Sequence, residues 1–266
     1  MYPGKYAEQN PDRSAFVMAA TGERVSYQEF EARSNRVAHY LADKGLGFQD
    51  HYSIFMENNN RYLESCAAGE RSGLYFTCIN SFLTSDELAY IINNSESQIL
   101  ITSMSKLEAA QEALAQCTAI KEVLVVGAGD ADLPEGMSDF ASTLSKYPET
   151  PLERELLGAA MLYSSGTTGR PKGIVRPLPE QSPNEPLPVI GFLSGLWRYR
   201  EDMIYLSPAP LYHSAPQAAV GLTLRMGGTV VIMERFDPAD YLRFVEEYQV
   251  SHSQLVPTMF LSLIHI

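Results

Sequence analysis

The chain has 266 residues, 45% hydrophobic and 20% charged, enough apolar material to bury a sizeable core in one or two domains. With 32 acidic against 20 basic side chains the formal net charge is −12, which argues against nucleic acid as a partner because phosphate backbones demand clustered cations. No run approaches the roughly 18–20 consecutive apolar residues of a membrane span, and the opening stretch MYPGKYAEQNPDRSAF lacks the basic and apolar regions of a signal peptide.

In chain order, Ser26-Tyr27-Gln28-Glu29 has the form of a capping box. The helix it opens carries Phe30, Val37, Ala38 and Leu41 on one side, and Gly45 is placed to end it in a left-handed turn. Residues 52–56 then read as a strand, 61–72 as a helix and 74–79 as a strand. Thr84-Ser85-Asp86-Glu87 is a second capping box, leading a helix whose Leu88, Ile91 and Ile92 share a face. Residues 98–102 and 122–126 are continuous apolar runs, the pattern of a sheet covered on both faces. The Gly-, Asp-, Ser- and Pro-rich segment 127–151 reads as an irregular excursion.

A strand over 159–163, a Gly/Thr/Ser loop and a β-like run over 173–176 follow. Residues 177–188 hold five prolines and are expected to be a loop, and the apolar stretch after them is broken by Pro188 and two glycines. The alternation then resumes, with strand 203–207, helix 215–226, strand 229–233 and helix 238–248. Strand–helix alternation predicts an α/β fold of mostly parallel sheets flanked by helices.

Cys66, Cys78 and Cys117 are odd in number and lack CxxC spacing, so they read as reduced, small hydrophobes of a cytoplasmic protein. The five histidines lack the HExxH and HxxxH spacings of a zinc site, and no GxSxG elbow of an α/β-hydrolase occurs.

The chemistry concentrates in Tyr163-Ser164-Ser165-Gly166-Thr167-Thr168-Gly169-Arg170-Pro171-Lys172-Gly173. Gly166, Gly169 and Gly173 let the backbone turn sharply and approach a ligand. Ser164, Ser165, Gly166, Thr167, Thr168 and Gly169 present N–H and O–H donors suited to anionic oxygens, and Lys172 adds one mobile positive charge suited to a polyphosphate. The string fails GxxxxGK[ST] and is not a Walker A loop. On composition alone, such a loop is also compatible with an ordinary surface turn and a solvated lysine.

As an ordered string, however, it closely resembles the signature of the adenylate-forming superfamily: acyl-CoA synthetases, luciferases of the firefly type and peptide-synthetase adenylation domains. The resemblance extends along the chain, through residues 27–50, residues 73–102, the stretch Pro208-Ala209-Pro210-Leu211-Tyr212-His213, and residues 250–260 with their VPTMF-like ending. It implies an incomplete N-terminal AMP-binding domain over 1–260, and an ATP-dependent acid:CoA ligase in the full-length parent. In that family a carboxylate attacks the α-phosphate of ATP, and the thiol of CoA then displaces AMP. Residues 164–172 would hold the β- and γ-phosphates, Thr167 would contribute to Mg²⁺, and Lys172 would neutralise phosphate charge. His213 and Tyr212 would lie near the carboxylate, as an orienting pair rather than a general base; a structural histidine is the alternative.

Pro210-Leu211-Tyr212-His213 lacks the aspartate with which amino-acid-activating relatives pair the substrate ammonium, so a simple, fatty-acid-like carboxylic acid is expected. Trp197, Tyr199 and Tyr205 are expected in the core. The family's later motifs and its C-terminal domain have no counterpart here, so the chain by itself is expected not to form acyl-CoA. The last six residues, Leu261-Ser262-Leu263-Ile264-His265-Ile266, match the translation of a transposase-end adapter, CTGTCTCTTATACACATC, which would end authentic homology near Phe260; a natural apolar helix is the alternative. Two other functional readings stay open at this point: a non-catalytic nucleotide-binding or regulatory fragment, and an adenylating enzyme that delivers to a carrier protein.

Overall fold

In the computed structural model, residues 1–164 and 170–266 are described. The strands, in chain order, are β1 (Ser14–Met18), β2 (Arg24–Ser26), β3 (His51–Phe55), β4 (Tyr75–Cys78), β5 (Ile99–Ser103), β6 (Glu122–Val126) and β7 (Met137–Asp139), followed by β8 (Ala159–Ala160), β9 (Leu162–Ser164), β10 (Lys172–Ile174), β11 (Ile204–Ser207), β12 (Thr229–Ile232) and β13 (His252–Ser253). The helices are α1 (Gly4–Gln9), α2 (Tyr27–Asp43), α3 (Tyr62–Ser72), α4 (Ser85–Asn94) and α5 (Leu107–Leu114), then α6 (Phe140–Leu144), α7 (Pro188–Trp197), α8 (Ser214–Arg225), α9 (Pro238–Glu247) and α10 (Pro257–Ile264). They divide between two units. The first comprises Met1–Glu31, Asn58–Asn60 and Asn184–Ile266; the second comprises Ala32–Glu57 and Arg61–Pro183.

The second unit is built on the apolar runs that carry no polar alternation. β3, β4 and β5 bury nearly every side chain, and the sheet β7-β6-β5-β3-β4-β8 is parallel throughout. Burial on both faces is what a continuous Val/Ile/Leu/Phe run requires. One face is covered by α4 and α5, whose Leu88, Ile91, Ile92, Ala110 and Ala113 close over Leu100, Val123 and Val125. Each such large aliphatic side chain, once fully buried, contributes about 1.5–3 kcal/mol. The α4 capping box forms as expected, with Thr84 Oγ1 accepting from the Glu87 N–H and the Glu87 carboxylate accepting from the Thr84 N–H.

Arg71, on α3, is completely buried, yet its charge is met by the Ser34 hydroxyl, the Asn35 side-chain oxygen and the Glu155 carboxylate at 2.9 Å. Removing one member of such a buried pair would strand a charge, which is why arginine is tolerated here.

In the first unit the sheet runs β13-β11-β12-β1-β2, parallel except for the β1–β2 hairpin. Leu206 and Val231 pack there with Tyr241 and Phe244 of α9. Asp237 caps α9 by accepting from the Ala239 and Asp240 N–H groups at 2.9 and 3.0 Å. The Ser26–Glu29 capping box is present at the start of α2, and Gly45 takes φ +84° after its end. Among the described residues no helix is long and apolar enough to cross a membrane.

Several expectations change. Residues 127–151 are not wholly irregular, because β7 and α6 lie inside them, with Asp139 capping α6 through the Ser142 N–H at 2.7 Å. All three β7 residues are only half-buried, so no apolar period marked the strand; main-chain pairing with β6 orders it. The stretch broken by Pro188 is helix α7. Proline stands at its first turn, where the missing N–H is harmless, and Arg198 ends it in a left-handed conformation at φ +55°. Of the aromatic side chains assigned to the core, Tyr205 is buried, whereas Trp197 is 49% exposed.

Candidate functional site

The strand expected over 159–163 is two strands. Ala159 and Ala160 extend the six-stranded sheet beside β4, buried Met161 follows, and Leu162–Ser164 pairs antiparallel with Lys172–Ile174. The register sets Lys172 against Ser164, Gly173 against Tyr163 and Ile174 against Leu162. The strand ends therefore bring the lysine and the first serine of the glycine-rich loop across from one another. Ser165, Gly166, Thr167, Thr168 and Gly169 lie outside the described residues.

Among the described residues, this β9–β10 ribbon shares no ladder with the six-stranded sheet. Side chains hold it instead. The Tyr163 hydroxyl donates to Asn94 Oδ1 at 2.7 Å, the Tyr90 hydroxyl donates to the Pro171 carbonyl at 3.1 Å, and the Tyr75 hydroxyl donates to the Arg176 carbonyl at 2.6 Å. The Arg170 guanidinium lies over the Tyr90 ring, 5.2 Å from its centroid. Burial pushes the Tyr163 phenol well up, with Tyr90 adding to the effect, so its proton stays on as a donor. Gly173 is needed by a close approach: a methyl there would meet the Met161 methyl at 2.4 Å and the Tyr163 ring at 3.0 Å. The Lys172 side chain itself is exposed.

Tyr90 and Asn94 are functional candidates that motif reading missed. They stand four residues apart on α4, on the side away from Leu88, Ile91 and Ile92, where polar residues read as solvent-facing. Nothing in the local pattern says that segments 69 and 81 residues further on return to them.

His213 is in the first unit, at the end of the connection from β11 to α8 and at the N-cap position of α8, as the sequence places it. The connection closes in a turn, with the His213 N–H donating to the Pro210 carbonyl at 3.2 Å. Leu211 is fully buried, and the Tyr212 and His213 rings stand 4.4 Å apart. His213 itself is surface-accessible, and its side chain makes no capping bond to the helix. Partial desolvation nonetheless lowers its pKa, favouring the neutral imidazole, and raises that of Tyr212. A neutral imidazole beside a phenol can donate to a carboxylate without adding a fixed charge.

Paired strands that set Lys172 against Ser164, and a Tyr–His pair beyond a parallel strand, are thus both present. The family model described as AMP-binding enzyme matches residues 5–265. The chain belongs to the AMP-binding enzyme family.

Other members of this AMP-binding family resemble the chain over nearly its whole length. It is 27% identical over 257 residues to 4-coumarate–CoA ligase 1 of Petroselinum crispum, with 95% of this chain and 46% of that protein covered. It is 28% identical over 255 residues to a medium/long-chain-fatty-acid–CoA/3-oxocholest-4-en-26-oate–CoA ligase of Mycolicibacterium smegmatis, covering 91% of this chain and 46% of the relative. Among solved structures, ATP-bound MatB from Rhodopseudomonas palustris superimposes with a TM-score of 0.77 at 27% identity, over 100% of this chain and 52% of MatB. The chain spans about half the length of the curated relatives it matches.

Proposed function

We propose that the complete protein is an ATP-dependent acid:CoA ligase, and that the chain described here supplies its phosphate-binding hairpin and one wall of its carboxylate site. The observation that carries the reading is the ribbon register, which sets Lys172 opposite Ser164 at the two ends of a loop rich in glycine and hydroxyl groups. Backbone N–H groups and hydroxyls of residues 164–169 would cradle the β- and γ-phosphates, and Lys172 would offset the charge that grows on pyrophosphate as it leaves. A carboxylate oxygen of the acid forms the new bond to the α-phosphorus, and the bond from that phosphorus to pyrophosphate breaks. The sulfur of CoA then attacks the acyl carbon and AMP departs.

The donors of the loop, serine and threonine hydroxyls with no thiol or imidazole among them, are hard oxygen ligands of the kind Mg²⁺ takes. Thr167 is the residue proposed to hold it. When bound, the ion would offset phosphate charge. His213 and Tyr212 are proposed to orient the substrate carboxylate.

The acid is proposed to be a simple, fatty-acid-like one. The turn from Pro210 to His213 carries no carboxylate, and the next acidic residue in the chain is Glu234, so an α-ammonium would lack a partner from this loop. A cytoplasmic setting is proposed from the odd number of cysteines without CxxC spacing.

Acid-dependent exchange of labelled pyrophosphate into ATP by the complete protein is the test. A panel of aliphatic, aromatic and steroid acids should contain at least one that stimulates exchange. Lys172→Ala should lower kcat/KM for ATP by about 10- to 150-fold, the worth of one charge-assisted contact. If no acid stimulates exchange, or if Lys172→Ala exchanges as well as the parent, the reading falls.

A further inference from the structure

We propose that Asn58 is a positioning residue for the carboxylate site, acting through the main chain of the loop that carries Tyr212 and His213. The inference deepens the ligase reading and rests on it for the identity of the substrate, though not for the clamp itself.

The hydrogen-bonded ladder between β11 and β12 gives out just before this loop. Its last rung is the Met233 N–H donating to the Ser207 carbonyl at 3.0 Å. Beyond it Pro208 and Pro210 have no N–H to donate, so a regular ladder cannot continue through the segment that ends at His213. A loop left there would place its last residues with little precision.

Asn58 takes over where the ladder stops. Its side chain is buried, and its Nδ2 donates to the Met233 carbonyl at 2.9 Å and to the Ala209 carbonyl at 3.2 Å, while its Oδ1 accepts from the Leu211 N–H at 2.9 Å. Both amide hydrogens and one oxygen lone pair are therefore used, and every partner is backbone. The amide serves as one more peptide unit, joined to the end of β12 on one side and to the loop on the other. Ala209 and Leu211 flank Pro210, so the two bonds straddle the residue that cannot pair. Leu211 is held, its side chain is completely buried, and the Pro210–His213 turn follows directly.

Only an amide does this. Aspartate has the same shape, but its second oxygen would face the carbonyls of Ala209 and Met233, replacing two donations by repulsion and burying a charge. Asn60, two residues on, has a different role, donating to the Glu23 carboxylate at the surface.

The first readout is hydrogen exchange in the unaltered chain. The Leu211 amide, although in a loop, should exchange as slowly as that of Val231 in β12. Exchange at the rate of an exposed loop would overturn the clamp, whether or not any variant folds. The second readout uses Asn58→Asp in the complete protein, with Asn58→Ser alongside in case the charged variant does not fold. Either should raise KM for the acid by about tenfold or more, with KM for ATP within about twofold, because only the carboxylate wall is loosened. Phe244→Leu, a cavity in the same unit away from the loop, is the control; a purely structural effect lowers the active fraction and leaves both KM values alone. An unchanged acid KM in both Asn58 variants, or the same split in the Phe244→Leu control, would overturn the inference. Total absence of acid-dependent exchange in the unaltered protein would instead overturn the ligase reading, and Leu211 exchange would still decide the clamp.

Discussion

Gly173→Ala offers the sharpest test of how the β9–β10 ribbon is built. A Cβ at this position would stand 2.4 Å from the terminal methyl of Met161 and 3.0 and 3.1 Å from Cζ and the hydroxyl of Tyr163. Carbon atoms at rest lie about 3.5–4.0 Å apart, so the Met161 methyl must retreat by about 1 Å. Methionine can bend, but Met161 is 5% exposed and packed with Tyr75 and Leu178, which leaves little room. The Tyr163 ring has less freedom still, tethered through its hydroxyl to Asn94.

Overpacking of this kind costs about 1–3 kcal/mol. At about 2–4 °C per kcal/mol for domains of this size, Tm should fall by about 2–12 °C in scanning fluorimetry. The same displacement moves β10, and Lys172 with it, so KM for ATP in the complete protein should rise while KM for the acid holds. Met161→Ala removes the obstructing methyl. In that background the alanine at 173 should cost less, a coupling of about 0.5 kcal/mol or more. Equal losses in the two backgrounds would refute the steric argument, as would a Gly173→Ala protein with unchanged Tm.

Tyr90→Phe deletes the hydroxyl that donates to the Pro171 carbonyl while keeping the ring under Arg170. It should cost about 0.5–1.5 kcal/mol of ribbon stability and raise KM for ATP a few-fold, whereas an unmoved KM would remove Tyr90 from the clamp. Stability should depend on pH through His51, whose ring stacks on Tyr75 and whose buried Nδ1 lacks a hydrogen-bond partner among the described residues. Desolvation lowers its pKa against the opposing pull of Glu96 and Asp50, so the unfolded chain binds the proton more tightly. The contribution is whole above the ordinary value of 6.5, is lost as pH falls from there towards the depressed folded value, and levels off below it. Tm between pH 7.5 and 5 should therefore fall less steeply in His51→Phe, and parallel curves would reject the assignment. Burial pushes the Cys66 thiol well up, with neighbouring Cys78 adding to the effect. Iodoacetamide at about pH 8 should thus leave Cys66 and Cys78 unlabelled until urea is added, and rapid native labelling of both would contradict their burial.

What was legible in the sequence was whatever writes itself in local chemistry. The α2 and α4 boxes, the left-handed Gly45, and the uninterrupted apolar runs of β3 to β6 each depend on residues within one element. So does the position of His213 between a strand and a helix. The glycine-rich segment was recognisable because the ordered string over 163–173 resembles a family signature, whereas its composition alone also suits a surface turn. By contrast, the division of 159–163 between two sheets leaves no local mark, since an apolar run looks the same on either side of Met161. β7 was invisible because its side chains are half-buried and its order comes from a partner strand. Helix α7 was hidden by a proline that would break a helix interior but suits a first turn. Asn58 and Tyr90 act on backbone atoms, and Asn94 on a phenol hydroxyl, many residues away, and no spacing rule reports such a contact.

The independence of the β9–β10 ribbon has a mechanical consequence. An element woven into a parallel sheet can travel only if the ladder tears, at the expense of many main-chain bonds at once. Among the described residues, side chains tie the β9–β10 segment down, the Tyr163, Tyr90 and Tyr75 hydroxyls among them, so a shift of Lys172 need not tear the six-stranded ladder. Were the segment to grip a triphosphate and then let pyrophosphate go, as proposed, ties of this kind could give way one at a time.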